Sequence, residues 1–203
     1  MKKTSLLTIL KYLLGPLMVT LVAVLAYTID FFILPNLGLD SNLKSLTFLM
    51  FMSWASYFIV GGKIKNTFSH LGTQIIGAIV AVIMLTLGQK LEMMIGGEIG
   101  RFFGPAIGLL IFNSTLIYFE KIKKLNYVSI IFIGASAFYA LYGLSGMGLE
   151  DQLHFGFTLK GNFHLLGVNI LYMSLGTLLG FISVNLRGIV DKHVNKIPYD
   201  GLQ

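Results

Sequence analysis

At about 100° per residue, His70, Thr73, Gln74, Gly77, Ala81 and Gly88 fall within one sector of a single helix. Asn169, Gly176, Gly180, Ser183 and Arg187 form a similar stripe on another, with Tyr172 at its edge. Hydroxyls, carboxamides and an imidazole at this spacing support two kinds of chemistry in an apolar helix. They can line a path for a small polar solute. Alternatively they can hydrogen-bond across a helix contact, at about 0.6–2 kcal/mol each, while the glycines let backbones close up. The Gly176-x-x-x-Gly180 spacing favours the contact reading, and both readings stand for the stripes as a whole.

Asn113 adds a third polar position, on the face of its helix opposite Gly104, Gly108 and Thr115. A carboxamide in hydrocarbon needs partners for its donors and its carbonyl, so Asn113 is expected to face protein or water, as path lining or as an interhelical or intersubunit bond. His70 and His164 open their helices at opposite faces, as candidate mouths or amphipathic anchors. Arg187 and Lys192 sit where they can snorkel to headgroups, and Asp30 lies near the outer interface, where it is expected to be solvated. Gly61-Gly62-Lys63 lacks the spacing and strand context of a phosphate-binding loop. Catalysis is not indicated: no helix carries paired carboxylates, a His-Glu metal pair or a serine with an intramembrane base, so no enzyme activity, metal or cofactor is expected. With no cysteine in the chain, disulfides and thiolate ligands are excluded.

The elements that position these residues are transmembrane helices. Of 203 residues 55% are hydrophobic and only 12% charged, too little polar surface to coat a water-soluble globule; mean hydropathy is +0.79. Apolar runs recur near residues 12–34, 46–60, 70–87, 102–119, 125–145 and 163–186. Apart from Asp30, none carries Asp, Glu, Lys or Arg. They are continuously apolar rather than alternating, which predicts an all-α membrane protein with six transmembrane helices in one domain, not a barrel. An N-in, C-in arrangement leaves only Lys44, Lys90, Arg101 and Lys160 outside, and the remaining eleven of the fifteen basic residues inside. The net charge of +6 is therefore read as positive-inside anchors touching anionic lipid, not as a nucleic-acid surface.

Two halves of the chain echo each other. Leu14-Gly15-Pro16-Leu17 and Phe103-Gly104-Pro105-Ala106 lie 89 residues apart, each read as opening a helix, and His70 and His164 lie 94 apart. A rival register pairs Leu71-Gly72-Thr73 with Leu175-Gly176-Thr177. Three helices per unit would make an inverted 3+3 repeat, an arrangement whose sites lie between the repeats near the bilayer midplane.

The stretch Phe51-Met52-Ser53-Trp54-Ala55-Ser56-Tyr57-Phe58-Ile59-Val60-Gly61-Gly62 resembles the signature of the YcdZ-like family of small bacterial inner-membrane proteins, a domain-of-unknown-function group (1097). In that family too an aromatic, small-residue helix ends in Tyr-Phe and a Gly-Gly pair and is followed by a Gly-bearing third helix. The likeness extends more loosely from about Leu46 to Arg187; the sequence departs from it in the extended outer segment Gly146 to Asn162 and in lacking cysteine. The resemblance implies a multi-pass protein of the bacterial inner membrane and brings no substrate, mechanism or functional residue.

The expected function is a channel or facilitative transporter for a small neutral or weakly charged solute. Its spans lack the fixed charges that ion-coupled carriers use. The alternatives are a structural or partner-binding membrane subunit whose stripes are packing seams, and an ion-coupled transporter that binds ions through backbone carbonyls. The lipid bilayer and the solute are the expected partners, and a homo-oligomer is compatible with all three.

Overall fold

The computed structural model describes residues 6–34, 46–122, 127–147 and 159–195, and all regular secondary structure among them is helical. The helices are α1 (Leu6–Thr28), α2 (Thr47–Ile59), α3 (Thr67–Ile95), α4 (Gly97–Tyr118), α5 (Val128–Met147) and α6 (Leu159–Val190). π-helical turns at Ile29–Ile33 and Asp191–Asn195 prolong α1 and α6; 3-10 turns at Ile64–Asn66 and Phe119–Lys121 lead into α3 and out of α4. Among the described residues four stretches are long and apolar enough to cross a bilayer: Leu13–Ile33, Ile64–Ile95, Gly97–Tyr118 and Gly161–His193. The apolar helices Thr47–Ile59 and Val128–Leu144 are shorter. The 13 residues of α2 rise about 20 Å, less than a hydrocarbon core about 30 Å thick.

Several boundaries differ from expectation. Gln89–Arg101, read as an outer loop, is helical on both sides of a two-glycine turn, with Gly96 at φ 74° and Gly97 at φ 60°. Only glycine enters that backbone region without a Cβ clash, so α3 and α4 can run to the turn and reverse there. Their charged residues Lys90, Glu92, Glu98 and Arg101 lie on these extensions, past the apolar run. Gly15-Pro16 and Gly104-Pro105 do not open helices either. Both prolines lie inside, at Pro16 of α1 and Pro105 of α4, where surrounding helices can make good the backbone bond each removes. The outer segments at 35–45 and 148–158 lie outside the described residues.

Two ends of the bundle can be told apart by their glycine turns. At the Gly96 end α3 turns into α4. At the Gly61 end α2 turns toward α3, with Gly61 and Gly62 at φ 82° and 57° donating to Phe58 O and Tyr57 O.

α3 and α6 form the centre and touch each other. α4 and α5 pack on α3, while α1 and α2 pack on α6. Glycines set the closest approaches. A Cβ on Gly77 would lie 2.0 Å from the Ile131 carbonyl oxygen of α5, and one on Gly134 2.1 Å from the Gln74 oxygen of α3. One on Gly176 would lie 2.2 Å from the Met50 oxygen of α2, and one on Gly104 2.5 Å from the Gly88 oxygen of α3. These are backbone-on-backbone contacts that any side chain would prevent. α1 and α4 stay outermost, exposing Phe31, Phe32, Phe102, Leu110 and Ile117, as a helix solvated by lipid tails would.

Candidate functional site

Buried polar side chains gather where α2 and α3 meet α6. His70, Gln74, Ser53 and Ser56 are all fully buried, and Thr177 nearly so. Ser53 and Ser56 lie three apart and so project from the same side of α2. Ser53 Oγ lies 3.0 Å from Gln74 Oε1, 2.6 Å from Met173 O and 2.9 Å from Thr177 Oγ1. Gln74 Nε2 donates to Ser56 Oγ at 2.6 Å, and the Ser56 hydroxyl donates to Ser53 O at 2.7 Å. His70 Nε2 lies 2.8 Å from Ser56 Oγ, and its Nδ1 3.3 Å from Thr177 Oγ1. With the Ser56 proton committed to the Ser53 carbonyl, Nε2 is the imidazole donor and Nδ1 is left to accept from Thr177. Every polar side-chain atom of this group has a partner. The Tyr57 ring stands edge-on to His70 at 5.5 Å, and its hydroxyl meets Thr67 Oγ1 at 3.0 Å. Beyond this group toward the Gly61 end, Trp54 Nε1 donates to Ser183 Oγ at 2.9 Å. That end also carries a depression of about 380 Å³ lined by Val60, Gly61, Lys63, Lys65, Asn66 and Tyr127.

A second group lies nearer the Gly96 end. Asp30 is buried at 6% exposure. It accepts from the Thr47 backbone N–H at 2.8 Å, from the Thr47 hydroxyl, and from the Tyr172 hydroxyl at 2.7 Å. The expectation of a solvated Asp30 is overturned. Because α2 is short, its N-terminus begins inside the bundle, and Asp30 supplies the acceptor that its first amide lacks.

Two asparagines on α6 behave differently. Asn162 and Asn169 are seven residues apart, hence on one face, and both are fully buried. Asn162 Nδ2 donates to Thr86 Oγ1 of α3 at 3.2 Å, and Asn169 Nδ2 points only to the Met173 thioether at 3.5 Å. Both carboxamide oxygens are buried with no hydrogen-bond partner. A buried carbonyl left in this state costs about 1–3 kcal/mol and calls for an explanation.

The residues singled out from sequence therefore separate. His70, Gln74, Asn169 and Tyr172 are buried on the central helices; His70 is not an anchor at a mouth, being fully buried and doubly bonded. Thr73 is buried, but its hydroxyl returns to Ser69 O of its own helix at 2.7 Å. Gly77, Gly176 and Gly180 face α5, the α2 backbone, and the Trp54 and Tyr57 rings respectively. Gly104 and Gly108 face α3, whereas Thr115 is exposed. His164 is exposed on α6. Arg187 is half-exposed, 3.5 Å from Asp191, with its stem against Gly15. The Asn113 side chain lies outside what is described. Sequence reasoning missed Ser53, Ser56, Thr86, Asn162, Thr177 and Asp30 as members of these groups, Asn162 falling in the expected outer segment although α6 begins at Leu159. The two serines three apart in an otherwise aromatic helix were the available signal.

No curated protein and no solved structure matches the chain. A sequence profile for the family described as Protein of unknown function (DUF1097) matches residues 13–188, from α1 through α6, and the chain belongs to that family.

Proposed function

We propose that this protein is a channel or facilitative transporter of the bacterial inner membrane for a small neutral or weakly charged solute, its path following the contact between α3 and α6. The observation that carries this reading is the run of uncharged hydrogen-bonding side chains on those two helices, from buried His70, Gln74 and Thr177 to buried Asn169 and then Asn162, which reaches the part-buried Thr86. Polar groups are costly inside a bilayer, and a continuous run of them along two central helices suits a pathway. In this reading the chain crosses the membrane six times, both termini are cytoplasmic, and the depression beside Lys63 and Lys65 opens to the cytoplasm.

An inverted repeat belongs to the same proposal, and matched contacts support it. α1 packs on α6 as α4 packs on α3, and α2 packs on α6 as α5 packs on α3. Gly15 approaches Arg187 and Asp191, while Gly104 approaches Gly88 and Glu92. Gly176 meets Met50 O as Gly77 meets Ile131 O, and Ser53 meets Met173 O where Gly134 meets Gln74 O. Gln74 and Met173, Gly77 and Gly176, Gly88 and Arg187, and Glu92 and Asp191 are each 99 residues apart. That register makes His70 the counterpart of Asn169 rather than of His164.

The second reading, a partner-binding or structural subunit, is favoured by the glycine contacts, which fill the faces of Gly77 and Gly176 with neighbouring backbone. The two readings separate in vesicles. Purified protein reconstituted in liposomes should accelerate volume recovery in urea or glycerol gradients several-fold over protein-free vesicles, and no acceleration with either solute favours the subunit. Reporters fused after Lys63, Lys123 and Gln203 should read cytoplasmic, and a periplasmic C-terminus would end the six-span arrangement.

A further inference from the structure

We propose that the α6 face carrying Asn162 and Asn169, with Thr86 of α3 opposite, is the selective site of this path and accepts small solutes bearing N–H or O–H donors. The inference rests on the transport reading above and names its solute class. What the site lacks is specific. Both asparagine oxygens are buried without a donor, whereas the Asn162 amide already reaches Thr86 Oγ1 at 3.2 Å. The atoms with no partner at all are thus both acceptors awaiting a donor, while each amide nitrogen has one contact. A solute with acceptors alone can meet only the spare amide N–H groups and leaves both carbonyls without a donor. A urea, amide, ammonia or polyol supplies the missing donors.

Spacing sets the size. Seven residues along one helix is a rise of about 10 Å, too far for one small molecule to bridge and right for two successive stops. The donor-rich cluster of Ser53, Ser56, His70 and Thr177 is fully engaged with itself and offers no equivalent vacancy. Selectivity is therefore assigned to the asparagine face. A purely structural asparagine at position 169 would find a partner for its carbonyl, as Gln74 does at 3.0 Å from Ser53.

The test uses full-length protein in liposomes with urea, glycerol and trimethylamine N-oxide, the last being small, neutral overall and without donors. Wild type should pass urea and glycerol at least tenfold faster than trimethylamine N-oxide. Asn169→Leu should lose at least tenfold in urea flux per folded molecule while its melting temperature in detergent stays level or rises, since an unpartnered group has been removed. Equal passage of trimethylamine N-oxide and urea, unchanged urea flux in Asn169→Leu, or a fall in its melting temperature would each overturn the site while leaving transport standing. No wild-type flux of any solute would remove the transport reading and this site with it. Should Asn169→Leu fail to fold, Asn162→Leu carries the same flux expectation, its bond to Thr86 being lost as well, and the wild-type preference for donors decides by itself.

Discussion

The surroundings of His70 on α3 and of Asn169 on α6 solve opposite problems. Around His70, two serines, a threonine and a glutamine satisfy one another in a closed circuit, with a tyrosine ring walling it. Around Asn169, the amide reaches only the Met173 thioether of its own helix, at 3.5 Å. Its carbonyl oxygen is buried and left alone. A closed circuit fixes helices; a carboxamide whose carbonyl has no donor does not, and the difference separates what holds this bundle together from what could exchange partners.

The largest effects should come from the glycines that set the scaffold on both sides. Gly77→Ala and Gly176→Ala each drive a Cβ into a backbone carbonyl, at 2.0 and 2.2 Å. Each should lower unfolding free energy by about 3 kcal/mol or more, measured by denaturant titration in mixed micelles. Unequal losses would argue that the two contacts are not equivalent. Asp30→Leu comes next: it strips acceptors from the Thr47 amide and the Tyr172 hydroxyl, at about 3 kcal/mol, with Asp30→Asn losing less because one carbonyl oxygen remains.

The comparison itself is tested by a pair of matched replacements. Gln74→Leu breaks a satisfied circuit and should destabilise by about 2 kcal/mol, whereas Asn169→Leu removes an orphan and should not destabilise. Equal losses at the two sites would erase the distinction between them. Arg187→Ala should matter least, under about 0.5 kcal/mol, because its ion pair with Asp191 leaves the arginine side chain 50% exposed.

Much of the architecture was legible in the chain because lipid solvation demands long uncharged helical runs, and those runs mark their own positions. Thr47–Ile59 falls within one residue of the expected span at either end. The Gln89–Arg101 segment misled for a physical reason: charge density signals departure from the apolar core, not from the helix, and here the helices continue into polar surroundings until Gly96 and Gly97 turn them.

For the site, residue types and helical spacing by themselves determined that His70, Gln74 and Asn169 lie on helix faces too polar for lipid. Which neighbour each face meets was decided only by tertiary structure, since helical periodicity reports direction around one axis and carries no information about the next helix. Gly77 shares a sector with Gln74 in sequence, yet it abuts α5 while Gln74 reaches across to Ser53 of α2. Asp30 lay at the end of an apolar run where water was the simplest partner, and burial came from a short α2 whose N-terminus begins within the bundle and needs an acceptor. The vacancy on Asn169 is likewise a property of the assembled helices: only after α3 and α6 are packed does it become apparent that one carboxamide has found its donors and the other has not.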